Sequence, residues 1–437
     1  MVNKFTFLIL IVMAAVQIQF VTAQDQPIVF QGAEIIPITG DPIENGTLVI
    51  QNGKITAVGE TGSVRIPRRA EVRDVSGKVI MPGLVDTHSH IGEGDGGDRS
   101  AALHPDVRIL DTIDPRSGTF KKAMAGGVTS VNIMPGSGLL ISGQTVYVKT
   151  NPKNTIEEML IVVDEETGIY GGLKMANGTN PLRSGGTPGT RAKSAALVRE
   201  MYIQAQEYKE RVDAANGDPD KLPPRNLQLE TLVEVLEGKR IAHNHTHRHD
   251  DILTAIRLSE EFGYRMVLQH VSEAWKVADE IAKADILGSS IITLDSPGGK
   301  LEAINIYNKN GRELERAGAD VAFHTDDPIV DSRFFFRSAA QGVREGMSRE
   351  KALEALTMAG ARMMDIDDRV GSLEEGKDAD FLILTGDPLS VYTNVQETWI
   401  DGVKAWDRSN PEDRKYSTGG YEIFRASSNN HIHLEGN

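Results

Sequence analysis

The sequence predicts an α/β fold, namely a (β/α)8 TIM barrel with a small composite β-sandwich domain built from the N- and C-terminal segments. In residues 79–368, apolar strand-like runs alternate with longer helical stretches about eight times, which is typical of a parallel sheet wrapped by helices. Segments of short strands and turns, at residues 25–78 and 369–410, flank that region. The length of 437 residues also suits a barrel with an accessory module better than one small domain.

The N-terminal part of the sandwich is predicted from apolar runs separated by turns. Asn45-Gly46 and Asn52-Gly53 are dipeptides typical of tight hairpins. Residues 79–90 follow as a single short apolar strand.

The barrel elements then follow in order, each predicted from its hydrophobic period. Strands are predicted at residues 128–134, 145–149, 171–176, 240–245, 265–270, 286–294 and 320–325. Helices are predicted at residues 119–126, 191–214, 227–237, 250–262, 272–284, 301–317 and 335–363. Strand character returns at residues 380–384, 397–400 and 403–406, and residues 411–437 are predicted to be a C-terminal tail.

The first 24 residues have the features of an export signal. Lys4 precedes an apolar run over residues 5–16, and the small residue Ala23 follows. The run is shorter than the roughly 20 residues that span a bilayer. We therefore expect residues 1–24 to be a signal peptide, the mature protein to be exported (periplasmic or secreted), and no stable membrane insertion after cleavage. An uncleaved anchor is the alternative.

Charge and cysteine content restrict the function further. The net charge of -15 argues against nucleic acid as a partner, because no basic field attracts phosphates. The chain has no cysteine, so any metal site uses nitrogen and oxygen ligands, which suits zinc, manganese, iron or nickel.

Histidines concentrate at the ends of predicted strands. His88 and His90 end one strand and point the same way, because side chains alternate along a strand. The other strand-end residues of this kind are His243, His245, His247, His249, His270, His324, Asp326 and Asp327. The C-terminal ends of barrel strands build the active site, so this distribution predicts a metal centre there. A bare His-x-His pair is otherwise as easily a surface feature.

Five stretches of the chain carry a resemblance to a known family. They are Met81-Pro-Gly-Leu-Val-Asp-Thr-His-Ser-His90, His245-Thr-His-Arg-His-Asp-Asp-Ile252, Leu268-Gln-His-Val271, Thr325-Asp-Asp-Pro328 and Gly371-Ser-Leu-Glu-Glu-Gly-Lys-Asp-Ala-Asp380. With these motifs the chain resembles the amidohydrolase superfamily, in its imidazolonepropionase-like branch, over roughly residues 27–408.

The resemblance implies a set of ligands for one or two divalent metal ions, of which zinc is the first expectation. His88 and His90 match the paired ligands after the first barrel strand, and His245 and His270 match those after the fifth and sixth. Asp326 matches the aspartate that binds metal and handles protons. Lys174 falls where members with two metals carry a carboxylated lysine; an ordinary lysine is the alternative there.

Several positions depart from the family pattern or leave the assignment open. Four histidines alternate with other residues here, so they all lie on one face if the strand continues. Side-chain alternation therefore does not choose the metal ligand among His243, His245 and His247, although the motif favours His245. Asp327 is an alternative to Asp326. Thr179 stands where an acid is expected. We expect the substrate to be contacted by His247, Arg183 and His324, the last of which replaces a small residue in relatives.

The predicted function is an exported metal-dependent amidohydrolase that hydrolyses a C–N bond in a small-molecule or dipeptide-like substrate, whether an amide, a peptide-like bond or a cyclic amide. Metal-activated hydroxide attacks, Asp326 acts as general base and acid, and His270 polarises the carbonyl if one metal is present. The alternatives are a mononuclear lactam hydrolase or deaminase and a catalytically silent metal-binding barrel. The sequence leaves open whether the protein forms a homo-oligomer.

Overall fold

The computed structural model describes residues 26–294 and 300–419. The predicted signal peptide, residues 1–24, lies outside the described residues, and so does the predicted tail from residue 420 onward. Among the described helices, none is long and apolar enough to cross a bilayer.

The described strands fall into a central group and a group formed by the N- and C-terminal segments, which flank the central group in the sequence. They are β1 (Ile28–Ile35), β2 (Ile43–Gln51), β3 (Lys54–Glu60), β4 (Glu71–Asp74), β5 (Val79–Pro82), β6 (Leu84–Ser89), β7 (Val128–Ile133), β8 (Ile141–Gln144), β9 (Val146–Lys149), β10 (Leu173–Ala176), β11 (Ala242–Thr246), β12 (Met266–His270), β13 (Gly288–Ile291), β14 (Val321–Phe323), β15 (Phe381–Leu384), β16 (Val395–Ile400) and β17 (Val403–Asp407).

The described helices follow the strands of the central region. They are α1 (Gly118–Ala125), α2 (Arg191–Ala215), α3 (Leu227–Leu236), α4 (His249–Phe262), α5 (Ala278–Lys283), α6 (Asn310–Ala317), α7 (Phe335–Arg344), α8 (Arg349–Ala355), α9 (Met358–Arg362) and α10 (Pro411–Thr418). Short 3-10 turns lie at Ile109–Thr112, Glu157–Met159, Ala274–Lys276, Leu301–Ala303 and Ser332–Phe334.

One eight-stranded sheet joins the two ends of the chain. Its order is β17-β16-β15-β5-β1-β2-β3, and β4 pairs with β1. Phe30, Phe381 and Trp399 pack under it with ring centroids 5.1–5.5 Å apart. The N- and C-terminal segments therefore share one sheet, while a second sandwich layer stays a prediction.

The central strands form the parallel core that positions the site. Strands β10 to β14 are parallel neighbours in chain order, and β6 pairs in parallel with β7. The chain departs from an all-parallel pattern at β8, which runs antiparallel to β10, and at β9, which runs antiparallel to β7. These strands form two separate hydrogen-bonded sheets of six and three strands, so closure into one eight-stranded barrel stays a prediction.

The predicted single strand over residues 79–90 is wrong, because the chain changes sheets within it. β5 belongs to the composite sheet, whereas β6 pairs with β7. Gly83 lies between them and donates its N–H to the carbonyl of Asp380 at 3.0 Å. A Cβ at this glycine would lie 2.1 Å from Oγ1 of Thr129, so the position at which the chain passes from one sheet to the other has no room for a side chain.

The predicted helix over residues 301–317 is also wrong in its first half. The chain makes only a 3-10 turn there, and α6 begins at Asn310. Tertiary contacts override the helical pattern, since Asn305 donates to Glu273 at 2.5 Å and its carbonyl accepts from Trp275.

Two further predicted helices are interrupted. The helix predicted over residues 272–284 splits into a 3-10 turn and α5, and the one over residues 335–363 splits into α7, α8 and α9.

Within the predicted tail, α10 forms because the side chain of Asn410 accepts from the backbone N–H of Glu412 and Pro411 stands at the first helical position.

Candidate metal centre

The two histidines of the first motif converge with Asp326 at one edge of the parallel strands. His88 Nε2 lies 3.3 Å from His90 Nε2, and Asp326 Oδ1 lies 3.0 Å from His90 Nε2 and 3.3 Å from His88 Nε2. The backbone N–H of Asp326 donates to the carbonyl of His88 at 2.8 Å, which ties the residues after β14 to the end of β6. Three acceptor atoms thus face one point.

A second group of histidines adjoins the first through His270. His245, His247 and His270 offer ligand atoms within 4.8 Å of one another, and so do His88, His270 and His324. The ring centroid of His270 lies 4.5 Å from that of His245 and 4.7 Å from that of His88. Side chains that are more than 150 residues apart in sequence therefore form one continuous cluster.

Two residues of the cluster adopt left-handed backbone conformations. His270 has φ of 72° and Asp326 has φ of 51°, which side chains other than glycine rarely adopt. Such a conformation costs of order 1–3 kcal/mol for each residue and persists at sites where surrounding contacts impose it. In these conformations both side chains point into the cluster.

Lys174 lies in the same cluster, fully buried in β10. Its Nζ is 3.1 Å from His88 Nε2 and 3.0 Å from the sulfur of Met134. Burial lowers the pKa of Lys174 to about 7. Near neutral pH a substantial fraction of the amine is therefore uncharged and nucleophilic.

The hydrogen bonds of His88 and His90 leave the same ring nitrogen available to a ligand. His88 Nδ1 lies 3.3 Å from Oε1 of Gln269, and His90 Nδ1 lies 2.8 Å from the carbonyl oxygen of Met134. An amide or carbonyl oxygen only accepts, so each Nδ1 carries the proton. Both Nε2 lone pairs consequently point toward Asp326, as metal ligands require.

The protonation state of the histidines suits a cation. Burial lowers the pKa of His88 and of His270 well below the ordinary histidine value, and it lowers the pKa of His245 to about 3. Neutral imidazole is the form that binds metal.

The predicted substrate contacts His247 and His324 lie inside the cluster. His247 Nδ1 is 2.7 Å from Oγ of Ser272, and its ring stacks on that of His270. His324 is fully buried, with Nε2 3.0 Å from His270 Nδ1 and Nδ1 2.8 Å from Oγ of Ser290. His324 is thus hydrogen-bonded to Ser290 and His270 within the cluster.

Arg183, the third predicted substrate contact, lies apart from the cluster. Its guanidinium donates to the backbone carbonyls of Gly138, Asn180 and Leu182. Within residues 26–294 and 300–419, its hydrogen bonds reach backbone carbonyls alone. The structure therefore does not bring Arg183 together with the other predicted site residues.

The structure separates the alternatives that parity and sequence left open. Asp327 points away from the cluster and pairs with Lys122 at 2.6 Å. His243 lies deeper in β11, between Tyr147 OH at 2.9 Å and Gln269 Nε2 at 3.1 Å. His245 and His247 both lie in the cluster, so the structure sets His243 apart, while the choice of His245 over His247 stays a prediction.

Three residues of the centre were missed by sequence reasoning. Gln269 orients His88 as described above, and its place beside His270 in β12 was the only signal. Asp86, inside the first motif, accepts from the backbone N–H groups of His88 and Thr325 and holds the two strand ends together; burial raises its pKa to about 7. Glu302 places Oε1 3.0 Å from His245 Nε2, and no local pattern marked it.

The residues present fit a divalent cation. The donor set contains only imidazole nitrogen and carboxylate oxygen, the ligands of zinc in sites without cysteine. His245 Nδ1 is buried and has no hydrogen-bond partner among the described residues. A buried ring nitrogen without a partner is costly unless it binds something, and a metal ion satisfies it.

Comparisons with known proteins identify the family. Residues 236–404 match the model of the amidohydrolase family. An amidohydrolase of known structure from Thermotoga maritima MSB8 is 34% identical with a TM-score of 0.81, covering 87% of this chain and 100% of that one. A dihydroorotase from Syntrophus aciditrophicus is 34% identical over 432 residues, covering 87% of this chain and 92% of the relative.

Two more distant relatives agree with that family. An imidazolonepropionase from Bacteroides thetaiotaomicron is 25% identical over 395 residues, covering 79% of this chain and 86% of the relative. Amidohydrolase tasK from Hapsidospora irregularis is 27% identical over 394 residues and 83% of this chain, but the match spans only 40% of that relative's length. The chain therefore belongs to the amidohydrolase superfamily. It is a hydrolase.

Proposed function

We propose that this protein is a metal-dependent amidohydrolase that hydrolyses a C–N bond in a small-molecule or peptide-like substrate. The observation that carries the proposal is the convergence of His88 Nε2, His90 Nε2 and Asp326 Oδ1 within 3.0–3.3 Å, next to the His245 and His270 rings. We further propose that the two central sheets close into one barrel with this cluster at its mouth. Export remains part of the proposal.

The division of roles follows from the positions of the side chains. A divalent cation, zinc in our proposal, supplies acidity to a water molecule and polarises the substrate carbonyl when it is bound. Asp326 takes the proton from the attacking water and delivers it to the leaving nitrogen, so the C–O bond forms as the C–N bond breaks. His88, His90, His245 and His270 hold the reacting centre in place as neutral rings.

Lys174 decides between a two-metal and a one-metal version of the site. A neutral buried amine can add to carbon dioxide with loss of one proton, and the carbamate that forms has one negative charge delocalised over two oxygens, which would suit a site that holds a second ion. The position of Lys174 Nζ beside His88 supports this version. Metal content per chain tests it, since two ions in the wild type and at most one in Lys174→Ala are expected. One ion in the wild type would leave the mononuclear lactam hydrolase or deaminase.

Activity is tested on a panel of N-acyl amino acids, dipeptides and lactams with added zinc or manganese. We expect His88→Ala and Asp326→Ala to abolish any hydrolysis that the wild type shows. His249→Ala is the matched control, because this half-exposed histidine pairs with Glu273 outside the cluster and its loss should leave activity unchanged. Full activity in His88→Ala would contradict the proposal. Tight metal binding without turnover across the panel would favour a silent metal-binding barrel.

A further inference from the structure

Glu302 is a buried carboxylate whose two oxygens face different groups. Oε2 accepts from the backbone N–H of Thr179 at 2.7 Å and from its hydroxyl at 2.6 Å. Oε1 lies 3.0 Å from Lys300 Nζ and 3.0 Å from His245 Nε2. Hydrogen-bond donors therefore contact both oxygens, and the Lys300 side chain lies beside Oε1, so Glu302 is held as a carboxylate in one orientation.

The ring of His245 has a different nitrogen on each side. Nε2 faces the carboxylate of Glu302, while Nδ1 is buried without a hydrogen-bond partner among the described residues. A carboxylate only accepts, so the ring proton lies on Nε2 and the lone pair on Nδ1. The amide nitrogen of Asn180 also lies 3.1 Å from Nε2, and it donates a hydrogen to Oγ of Ser137 at 2.9 Å. The ionised oxygen is the stronger partner for the ring proton.

We propose that Glu302 is a positioning residue that holds His245 in the Nε2–H tautomer and directs its Nδ1 lone pair to the metal ion. His88 and His90 are oriented through neutral oxygens and present Nε2 instead, so His245 is bound in the opposite sense. A carboxylate behind a histidine also raises the basicity of the ligating nitrogen. The inference rests on the proposed function, because it assigns Glu302 to the same metal centre.

The experiment measures zinc affinity by competition with a chromophoric chelator. We expect Glu302→Ala to bind zinc about 10–100-fold more weakly than the wild type, as is typical when the partner of a ligating histidine is lost. Glu302→Gln should be intermediate, because its amide oxygen still accepts the ring proton but carries no charge. Asp380→Ala is the matched control, since this similarly buried carboxylate lies 2.5 Å from Lys149 Nζ, beside the composite sheet and away from the cluster. Wild-type affinity in Glu302→Ala would overturn the inference.

A second measurement addresses the tautomer directly and needs no variant of Glu302. In the metal-free wild type with ¹⁵N-labelled histidine, long-range ¹H–¹⁵N correlations should show His245 protonated at Nε2, with its signals assigned by their loss in His245→Ala. Protonation at Nδ1 would overturn the inference. The two proposals fail separately: a wild type that binds no zinc contradicts the metal centre, whereas a wrong tautomer contradicts only the role of Glu302.

Discussion

Lys174→Met should stabilise the metal-free protein while removing a group that the active site needs. Methionine keeps an unbranched apolar stem, one heavy atom shorter than the lysine side chain, and has no ammonium group. Lys174 is fully buried beside His88 and Met134, where a charge is poorly solvated. Burial therefore disfavours the charged amine in the folded wild type, at a cost that the variant does not have.

The magnitude follows from the pKa of Lys174, which burial lowers from 10.5 to about 7. At about 1.36 kcal/mol per pKa unit, burial of Lys174 costs at most about 5 kcal/mol of folding free energy, most of which is still present at pH 7. Between pH 7 and pH 10.5 the unfolded chain binds up to one more proton at this residue than the folded chain does. Wild-type stability therefore rises with pH relative to the variant, and the difference closes near pH 10.5.

The assay is urea unfolding of both proteins in chelator and without bicarbonate, at several pH values from 7 to 10.5. We expect Lys174→Met to unfold at a clearly higher urea concentration at pH 7 and at a similar concentration at pH 10.5. Equal unfolding midpoints at pH 7, or a difference that does not change with pH, would refute the reasoning that burial keeps Lys174 neutral.

Three further changes test other parts of the site. Asp326→Asn keeps the side-chain shape but cannot accept a proton, so kcat should fall about 10²–10⁴-fold in a steady-state assay; an unchanged kcat would exclude it as the base. His245→Ala should lower zinc content per chain, whereas His243→Ala should not, and elemental analysis that shows the reverse would reassign the ligand. Lys122→Met leaves Asp327 buried without its ion-pair partner and should destabilise the fold by about 3–5 kcal/mol, measured by thermal unfolding; an unchanged melting temperature would contradict the importance of this pair.

The convergence of the strand-end histidines could be predicted from sequence because it depends on a simple geometric rule. Parallel strands β11 and β12 end at the same edge, so His245 and His270 meet there. Side-chain alternation along the strand could not separate His245 from His243, because both point the same way. β11 ends at Thr246, so His247 leaves the strand while His243 stays deep within it.

Contacts between distant segments set the limit of sequence reasoning at this site. In the sequence, Glu302 is one acidic residue of the helix predicted over residues 301–317. The folded chain shows that this helix is broken and that the Glu302 carboxylate contacts His245. The change of sheets at Gly83 was hidden for a similar reason, because the apolar run over residues 79–90 continues without a break while its hydrogen-bond partners change.

The central claim is that His88, His90 and Asp326 bind a metal ion together. Anomalous diffraction at the zinc edge, from crystals of the zinc-loaded protein, tests it most directly. The account predicts a zinc peak about 2.0–2.2 Å from His88 Nε2, His90 Nε2 and a carboxylate oxygen of Asp326. Zinc absent from this position while bound elsewhere, for example between His249 and Glu273, would contradict it.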